Sequence, residues 1–438
     1  MQPFYFLNIS RFLTALFLFI LPFSTKILIY DQGSYHFGFF LENAASWLWV
    51  SEIFFLTALF FLSIHAFLHP EEYKKNQPAP VANQKYIKIF WLLIFALALT
   101  SIIWSPEKIV SFLTALRIAE MIVLFYLTRN INFLTAKTIA HILIAGAILQ
   151  AIIAIGQYGL GHSLGLSFLG EIPANASTLG IARIEIGTLK ILRSAGTFSH
   201  ANILGGWLSI NLLLLFIFPP KQKSILAISA GILIAGLIFS FSRSAWLGLI
   251  IGGSFLLFAH APAKLKTLFH WENKTLTPKL AGALTILLVS LFALTFFWEN
   301  IAVRLKDTKS ISVRAEQNEN AIKILMKYPF GVGAGTSVFA LPEVSKTRLA
   351  PWEFQPVHNF FLLASNDLGF LGAILWIGLF FTFAKIFWEQ KNFSALALLL
   401  NIFTIMNFDH YFYDIYSTQM LLATVLGIFL FLPVISNR

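Results

Sequence analysis

Three side chains in this sequence have types that fit a single chemistry. Arg243 lies in the stretch SFSRSAW, Arg314 lies in SVRAEQNENAIKILMKYP, and His358 lies in VHNFF. Each guanidinium offers a planar fork of donors that matches phosphate oxygens. An imidazole is the side chain best suited to take a proton from a hydroxyl near neutral pH. If they meet, the three side chains indicate transfer from a phosphate or pyrophosphate to a hydroxyl.

Each of these residues also has a structural interpretation when it is considered alone. Arg243 could be a snorkelling arginine at a helix end, and Arg314 could be a solvated charge on a helix. A single histidine such as His358 is often a hydrogen-bonded structural group. The functional interpretation therefore depends on whether the elements of the fold bring the three side chains to one place.

The composition indicates what those elements are. Hydrophobic residues make up 58% of the 438-residue chain, charged residues make up 12%, and the mean hydropathy is +0.77. A soluble domain carries about 25% charged residues, so the sequence predicts a polytopic membrane protein. Basic loops beside the membrane explain the net charge of +11 better than nucleic-acid binding does. The absence of cysteine excludes thiolate metal sites, disulfides and cysteine nucleophiles.

The apolar runs predict an all-α fold of about twelve transmembrane helices, because hydrocarbon offers no partner to unsatisfied backbone groups. We expect residues 1–438 to form a single transmembrane domain, and the first apolar run to be a retained span. The predicted spans lie near residues 8–30, 47–68, 87–104, 109–127, 137–159, 201–218, 224–241, 244–260, 281–299, 368–388, 393–408 and 416–432.

The distribution of lysine and arginine predicts the orientation. With the N-terminus inside, most basic residues of the short connections fall on the cytoplasmic side, so both termini are expected in the cytoplasm. The segments 160–199 and 300–357 then become long outer loops. The second of them contains a predicted amphipathic helix, with apolar residues at Ala315, Ile322, Leu325 and Met326 and a stop at Pro329.

Under this topology the unusual polar residues gather on the outer side. They comprise Arg193, Arg243, Arg314 and His358, together with His200 and Asn202 of GTFSHAN, Asn359, and Asp409 and His410 of FDHYFYD. Within the spans, Arg117 and Glu120 are three residues apart and are expected to satisfy each other. The glycine-rich GVGAG, residues 331–335, lacks the lysine and the strand of a phosphate loop and is interpreted as a flexible turn. The sequence has no cluster of carboxylates that would predict a divalent metal site.

From about Arg193 to Ile428 the sequence resembles the O-antigen ligase and O-antigen polymerase family of bacterial membrane glycosyltransferases. The resemblance is carried by GTFSHAN, FSFSRSAW, the arginine helix ending in YPFGVGAG, HNFFL with DLGFLG, and DHYFYD. It implies a GT-C-like membrane fold in which the loop 300–357 covers the site. It also implies transfer of a glycan from undecaprenyl pyrophosphate to an acceptor hydroxyl on the outer face of the cytoplasmic membrane, with no metal or other cofactor.

The same resemblance implies roles for individual residues. Arg243 and Arg314 would hold the donor pyrophosphate, and His358 would activate the acceptor hydroxyl. Supporting roles in substrate binding would fall to a second set, Arg193, His200, Asn202, Asn359, Asp409 and His410.

Several functions remain open from the sequence. Ligation of a glycan to a lipid A core, polymerisation of repeat units, and transfer to protein serine or threonine share these motifs. Transport of a small anion such as bicarbonate is a separate alternative, since positive outer loops attract anions. A transporter would be expected to show inverted repeats with helices broken at mid-membrane, and no such internal similarity is evident. A lipid flippase or a structural scaffold is a third class.

Overall fold

The computed structural model describes residues 5–71, 83–260, 302–303 and 309–430, except for residues 32–33, 37, 43–44, 131–132, 179, 187–188, 347–348 and 351–352. Over these residues the chain is mostly helical, as predicted. Six of the described helices are long and apolar enough to cross a membrane: Val50–Leu68, Gln84–Ser101, Lys108–Thr128, Ala136–Leu160, Lys223–Ser240 and Phe360–Glu389. The predicted span at 281–299 lies outside the described residues, and the count of twelve stays a prediction.

The helices are numbered here in chain order. They are α1 Tyr5–Ile20, α2 Val50–Leu68, α3 Gln84–Ser101, α4 Lys108–Thr128, α5 Ala136–Leu160, α6 Ala201–Ile217, α7 Lys223–Ser240, α8 Arg243–His260, α9 Lys309–Lys327, α10 Phe360–Glu389, α11 Phe393–Met406, α12 Tyr411–Asp414 and α13 Tyr416–Leu430. The strands are β1 Lys26–Tyr30, β2 Tyr35–His36, β3 Phe39–Phe40, β4 Ser46–Trp49, β5 Arg183–Ile186 and β6 Leu189–Leu192.

The chain packs into two compact units. The first comprises Met1–Ile139, Thr308–Gln390 and Met406–Arg438, and the second comprises Ala140–Asp307 and Lys391–Ile405. In the first unit, α1 packs against α2, while α4 packs against α3 and α13, and α10 packs against α3 and α9. In the second unit, α6 packs against α7 and α8.

Large aromatic side chains form the interior of the first unit. The Trp91 ring lies 5.6 Å from that of Trp376, edge to face, and 6.1 Å from that of Phe125. Phe125 in turn lies 5.7 Å from Phe383, again edge to face. Such offset and edge-on arrangements are favoured by the ring quadrupoles, and each fully buried ring removes a large apolar area from solvent. They join α3, α4 and α10 around one core.

The predicted first span is wrong at its C-terminal end. Helix α1 ends at Ile20, and Lys26–Tyr30 forms strand β1, which pairs antiparallel with β4. Pro22 cannot continue the helical hydrogen bonds, and the KILIY segment that follows contains β-branched isoleucines that favour a strand. The expectation of an all-α fold also needs this correction, because the described residues form three two-stranded antiparallel sheets, β1–β4, β2–β3 and β5–β6. The β5–β6 hairpin lies in the predicted outer loop 160–199.

Helix α10 begins eight residues before the predicted span at 368–388 and is kinked. The Asn359 side chain caps it by accepting from the amides of Phe361 and Leu362, each at 3.0 Å. Within the helix, Gly369 has φ 73° and ψ −173°, which only glycine adopts readily. An added Cβ at Gly369 would lie 2.4 Å from the carbonyl oxygen of Pro329, so the kink also permits close approach of the preceding loop.

The GVGAG segment is a hydrogen-bonded turn against this kink, so its interpretation as a flexible turn is wrong. The Gly335 amide donates to Asp367 Oδ2 at 2.7 Å, and the Ser337 amide donates to Asp367 Oδ1 at 3.1 Å. The Gly333 amide donates to the Asp367 carbonyl at 3.0 Å. Positive φ angles at the glycines of this turn let the amides of Gly335 and Ser337 face the same carboxylate.

The expected pairing of Arg117 with Glu120 is also wrong. Arg117 Nη2 donates to the Trp47 carbonyl of β4 at 2.6 Å. Over the residues that the structure describes, no direct ion pair joins Arg117 to Glu120, and the buried Glu120 carboxyl group lies near Glu52 and Tyr416. The three-residue spacing places the two side chains on one face of α4, but the Arg117 guanidinium donates its hydrogen bond to the Trp47 carbonyl of β4.

Candidate functional site

A polar cluster in the first unit joins three of the residues selected from the sequence. Asp409 Oδ1 lies 3.2 Å from His358 Nδ1 and accepts from Arg314 Nη2 at 3.3 Å. Arg314 Nη1 also donates to the Phe408 carbonyl at 2.7 Å. The Asp409 side chain is 1% exposed, whereas those of His358 and Arg314 are 19% and 26% exposed. The buried carboxylate thus holds two side chains whose outer parts still reach solvent.

Helix α9 positions Arg314. Its buried residues Ala321, Ile324 and Leu325 face the interior of the first unit, where α9 packs against α10. The helix confirms the predicted one, but its buried face differs from the expected face, since Ile322 and Met326 are 52% and 71% exposed. The periodicity of apolar residues predicted the helix. The face that packs inward is the one that carries Ala321, Ile324 and Leu325.

The N-terminus of α10 positions His358. Asn359 caps that helix with its Oδ1, while its Nδ2 donates to the carbonyl of Asn407 at 3.1 Å. This second bond ties the start of α10 to the segment that leads into Asp409. In the structure the Asn359 side chain fixes the backbone next to His358, and its predicted part in substrate binding stays a prediction.

A second histidine–carboxylate pair lies beside the first. His410 Nδ1 is 2.8 Å from Asp414 Oδ1 and 2.9 Å from Asp414 Oδ2, and the His410 and His358 rings lie 5.1 Å apart. His410 was among the sequence-predicted residues, but Asp414 was missed. The signal was available in DHYFYD, because residues four apart on one helical turn lie side by side.

The two histidines differ in their pKa. Burial lowers the pKa of His358. The hydrogen bond and charge of Asp409 raise it and the charges of His410 and Arg314 lower it, and the net shift is downward. Burial opposes the charged form of His410 as well, but the charge and hydrogen bond of Asp414, together with Asp409, raise the pKa of His410 above its ordinary value. Neighbouring titratable groups whose pKa values are pushed apart are suited to different roles in proton transfer.

A further group of predicted residues lies in the second unit. Arg193 is 5% exposed, and its Nε donates to the Ser240 carbonyl at 2.9 Å while its Nη2 donates to Asn202 Oδ1 at 2.6 Å. His200 caps α6, since its Nδ1 accepts from the Asn202 amide at 3.1 Å. Arg193, His200 and Asn202 therefore lie together, and the bonds of Arg193 join the loop before α6 to the end of α7.

An open cleft lies beside this group, and Arg193 and His200 line it with Gln157 and Ser199. Gln157 fixes the cleft wall, because its Oε1 accepts from the amides of Ala195 and Gly196 at 3.1 and 2.9 Å. The cleft is thus bordered by backbone and side-chain polar groups of the GTFSHAN segment.

Arg243 is the first residue of α8 and is half-buried. The tight turn before it, Ser240–Ser242, packs against α6, where an added Cβ on Gly205 would lie 2.5 Å from the Ser242 Cβ. Arg243 and Arg193 therefore both lie at the end of the second unit where α7 ends and α8 begins. The structure brings Arg314, His358, Asn359, Asp409 and His410 together in the first unit; the meeting of all three catalytic candidates in one pocket stays a prediction.

Comparison with known proteins supports the resemblance stated from the motifs. Residues 228–377 match a family model described as O-antigen ligase. This segment of the chain is therefore similar to the O-antigen ligase family. The matched segment contains Arg243, Arg314 and His358, whereas Arg193 and Asp409 lie outside it. No curated protein matches the chain. The family and the apolar helices together indicate an integral membrane protein.

Proposed function

We propose that this protein transfers a glycan from an undecaprenyl-pyrophosphate carrier to an acceptor hydroxyl. The reaction takes place on the outer face of a bacterial cytoplasmic membrane, and both termini of the chain lie in the cytoplasm. The observation that carries the proposal is the cluster in which buried Asp409 holds both His358 and Arg314, in a chain similar to the O-antigen ligase family.

His358 acts as the base in this proposal. Because a carboxylate can only accept hydrogen bonds, His358 Nδ1 carries the proton directed at Asp409, and the lone pair lies on Nε2. The lowered pKa of His358 keeps the imidazole neutral near pH 7, which a base requires. As the acceptor hydroxyl oxygen attacks the anomeric carbon, its proton passes to Nε2, and the Asp409 carboxylate stabilises the imidazolium that forms.

The bond from the anomeric carbon to the pyrophosphate oxygen breaks in the same step, and we expect inversion at that carbon. The pyrophosphate leaves as an anion, and arginine is suited to stabilise it because its fork of donors matches phosphate oxygens. Arg314 uses two of its nitrogens within the cluster and is partly exposed, so further N–H groups can meet the donor. We assign the same role to Arg243.

The remaining predicted residues support binding. Arg193, His200 and Asn202 shape the cleft of the second unit, which we propose contacts the lipid-linked glycan. Asn359 and Asp409 position His358. The acceptor is a lipid A core, a growing polysaccharide or a protein hydroxyl, and the three differ in the products that they leave at the cell surface.

Deletion of the gene followed by surface-glycan analysis tests the function and separates the acceptors. Loss of all attached glycan indicates a ligase, short single-unit chains indicate a polymerase, and loss of glycan from protein alone indicates protein glycosylation. An unchanged surface glycan would refute the proposal.

Complementation of the deletion strain with variants tests the assigned residues. We expect His358→Ala to accumulate unreacted lipid-linked donor, and Arg243→Lys to reduce transfer strongly at unchanged expression, because an ammonium lacks the two-pronged fork. Arg183→Lys is the matched control, since Arg183 forms an exposed pair with Glu185 at 2.8 Å. Full activity of the Arg243 variant would show that this arginine is only a structural anchor.

A further inference from the structure

His410 has a carboxylate partner of its own, which the proposed proton transfer does not use. Its Nδ1 lies 2.8 and 2.9 Å from the two oxygens of Asp414, and its ring lies 5.1 Å from that of His358. One base is enough to take the acceptor proton. A second histidine–carboxylate pair in contact with the first therefore calls for a different role.

The charges around His410 come from each neighbouring element. Asp414 lies on the same short helix, Asp409 lies directly before it, Arg314 reaches in from α9, and His358 precedes α10. Burial and the Arg314 charge favour the neutral form of His410, but the two carboxylates outweigh them and raise its pKa. His358 shifts in the opposite direction. The pair thus provides one imidazole that favours its neutral form and a neighbouring one that keeps its proton to higher pH than an ordinary histidine does.

We propose that His410, held by Asp414, is an imidazolium that donates from Nε2 to the pyrophosphate of the lipid-linked donor. With Arg314 it stabilises the anion that departs when the glycosidic bond breaks. His410 keeps its proton through the step, and the acceptor proton goes to His358. This inference rests on the proposed function and adds a residue that contacts the donor.

Donor binding as a function of pH tests the assignment on the full-length protein in detergent. The probe is a polyprenyl pyrophosphate that carries one sugar, because a pyrophosphate diester has no second phosphate ionisation near neutral pH. We expect wild-type affinity to fall at alkaline pH as His410 loses its proton. Asp414→Asn should move this fall to lower pH, since it removes the anion that raises the pKa of His410.

Two substitutions of His410 complete the experiment. His410→Gln should weaken binding about tenfold or more at neutral pH and remove the alkaline fall, because a charge-assisted hydrogen bond is lost. His410→Lys restores a positive charge and should keep binding above that of His410→Gln at alkaline pH. Glu343→Gln is the control, since Glu343 forms an exposed pair with Lys327 at 2.7 Å and should bind like wild type.

The outcomes separate this inference from the proposed function. If both His410→Gln and Asp414→Asn bind the probe with wild-type affinity and pH dependence, the proposed role of His410 is overturned. Binding of the probe by the wild-type protein would in that case still support the donor assigned in the proposed function. If wild-type protein does not bind the probe at any pH, the donor assigned in the proposed function is wrong, and this inference is overturned with it. The melting temperature of each variant shows whether a loss of binding comes from misfolding.

Discussion

Replacing Asp409 by asparagine tests the proton-transfer role of His358 most directly. The Asp409 side chain is 1% exposed, and its Oδ1 bonds His358 Nδ1 at 3.2 Å and Arg314 Nη2 at 3.3 Å. Asparagine has nearly the same shape, but it carries no charge and its amide nitrogen can only donate. The substitution therefore removes the charge that stabilises protonated His358 and leaves the volume of the side chain almost unchanged.

The size of the effect follows from the interaction that is lost. A hydrogen bond to a charged group contributes about 1.5–3 kcal/mol, and each 1.36 kcal/mol changes a rate about tenfold. His358 gains the full attraction of Asp409 only when it becomes protonated in the reaction. We therefore expect kcat to fall roughly 10- to 150-fold in Asp409→Asn. The KM for the donor should change less than about threefold, because Asp409 is buried behind the two side chains that face the substrate.

The assay measures initial rates of glycan transfer by the full-length protein at several donor concentrations. Asp31→Asn serves as the matched control, because Asp31 follows strand β1 and lies outside the cluster. Melting temperatures exclude a general loss of structure. A kcat within about twofold of wild type in Asp409→Asn would refute the claim that Asp409 stabilises protonated His358.

Three further substitutions test the packing that supports the site. Gly369→Ala places a Cβ 2.4 Å from the Pro329 carbonyl oxygen and should lower the melting temperature, whereas Gly159→Ala meets no atom within 4 Å and should not lower it. Arg193→Lys should reduce stability by about 1–3 kcal/mol in thermal unfolding, because a single ammonium lacks the planar fork that directs Nε at the Ser240 carbonyl and Nη2 at Asn202 Oδ1. Glu171→Gln should speed hydrogen exchange of the Leu164 and Leu166 amides, which donate to the Glu171 carboxylate at 2.7 and 2.6 Å.

Hydropathy predicted most of the described helices because a long apolar run in a membrane protein has few alternatives to a helix. The same measure failed at β1, where an apolar segment of five residues follows a proline and pairs with β4. Apolar character alone does not distinguish a short strand from the end of a helix; the turn residues and β-branched side chains carry that information. Pro22 and the two isoleucines of KILIY were the available signals.

The sequence also selected the residues that meet in the first unit. Arg314 and His358 were predicted to be catalytic, and Asn359 and Asp409 were predicted to support substrate binding. In the structure the asparagine caps α10, and the buried aspartate holds the histidine and the arginine. Motif order and topology can predict that polar residues share one side of a protein. Burial separates a residue that touches substrate from one that positions another, and burial depends on side chains distant in the sequence.

The two histidines show this dependence most clearly. His358 and His410 are the same residue type, lie with their rings 5.1 Å apart, and each bonds one aspartate. Burial lowers the pKa of both histidines. At His410 the charge and hydrogen bond of Asp414, together with the charge of Asp409, outweigh burial, whereas at His358 the hydrogen bond and charge of Asp409 do not. The positive charge of Arg314 lowers the pKa of both histidines by a smaller amount, and at His358 it adds to the effect of burial in favouring the neutral form that can accept a proton.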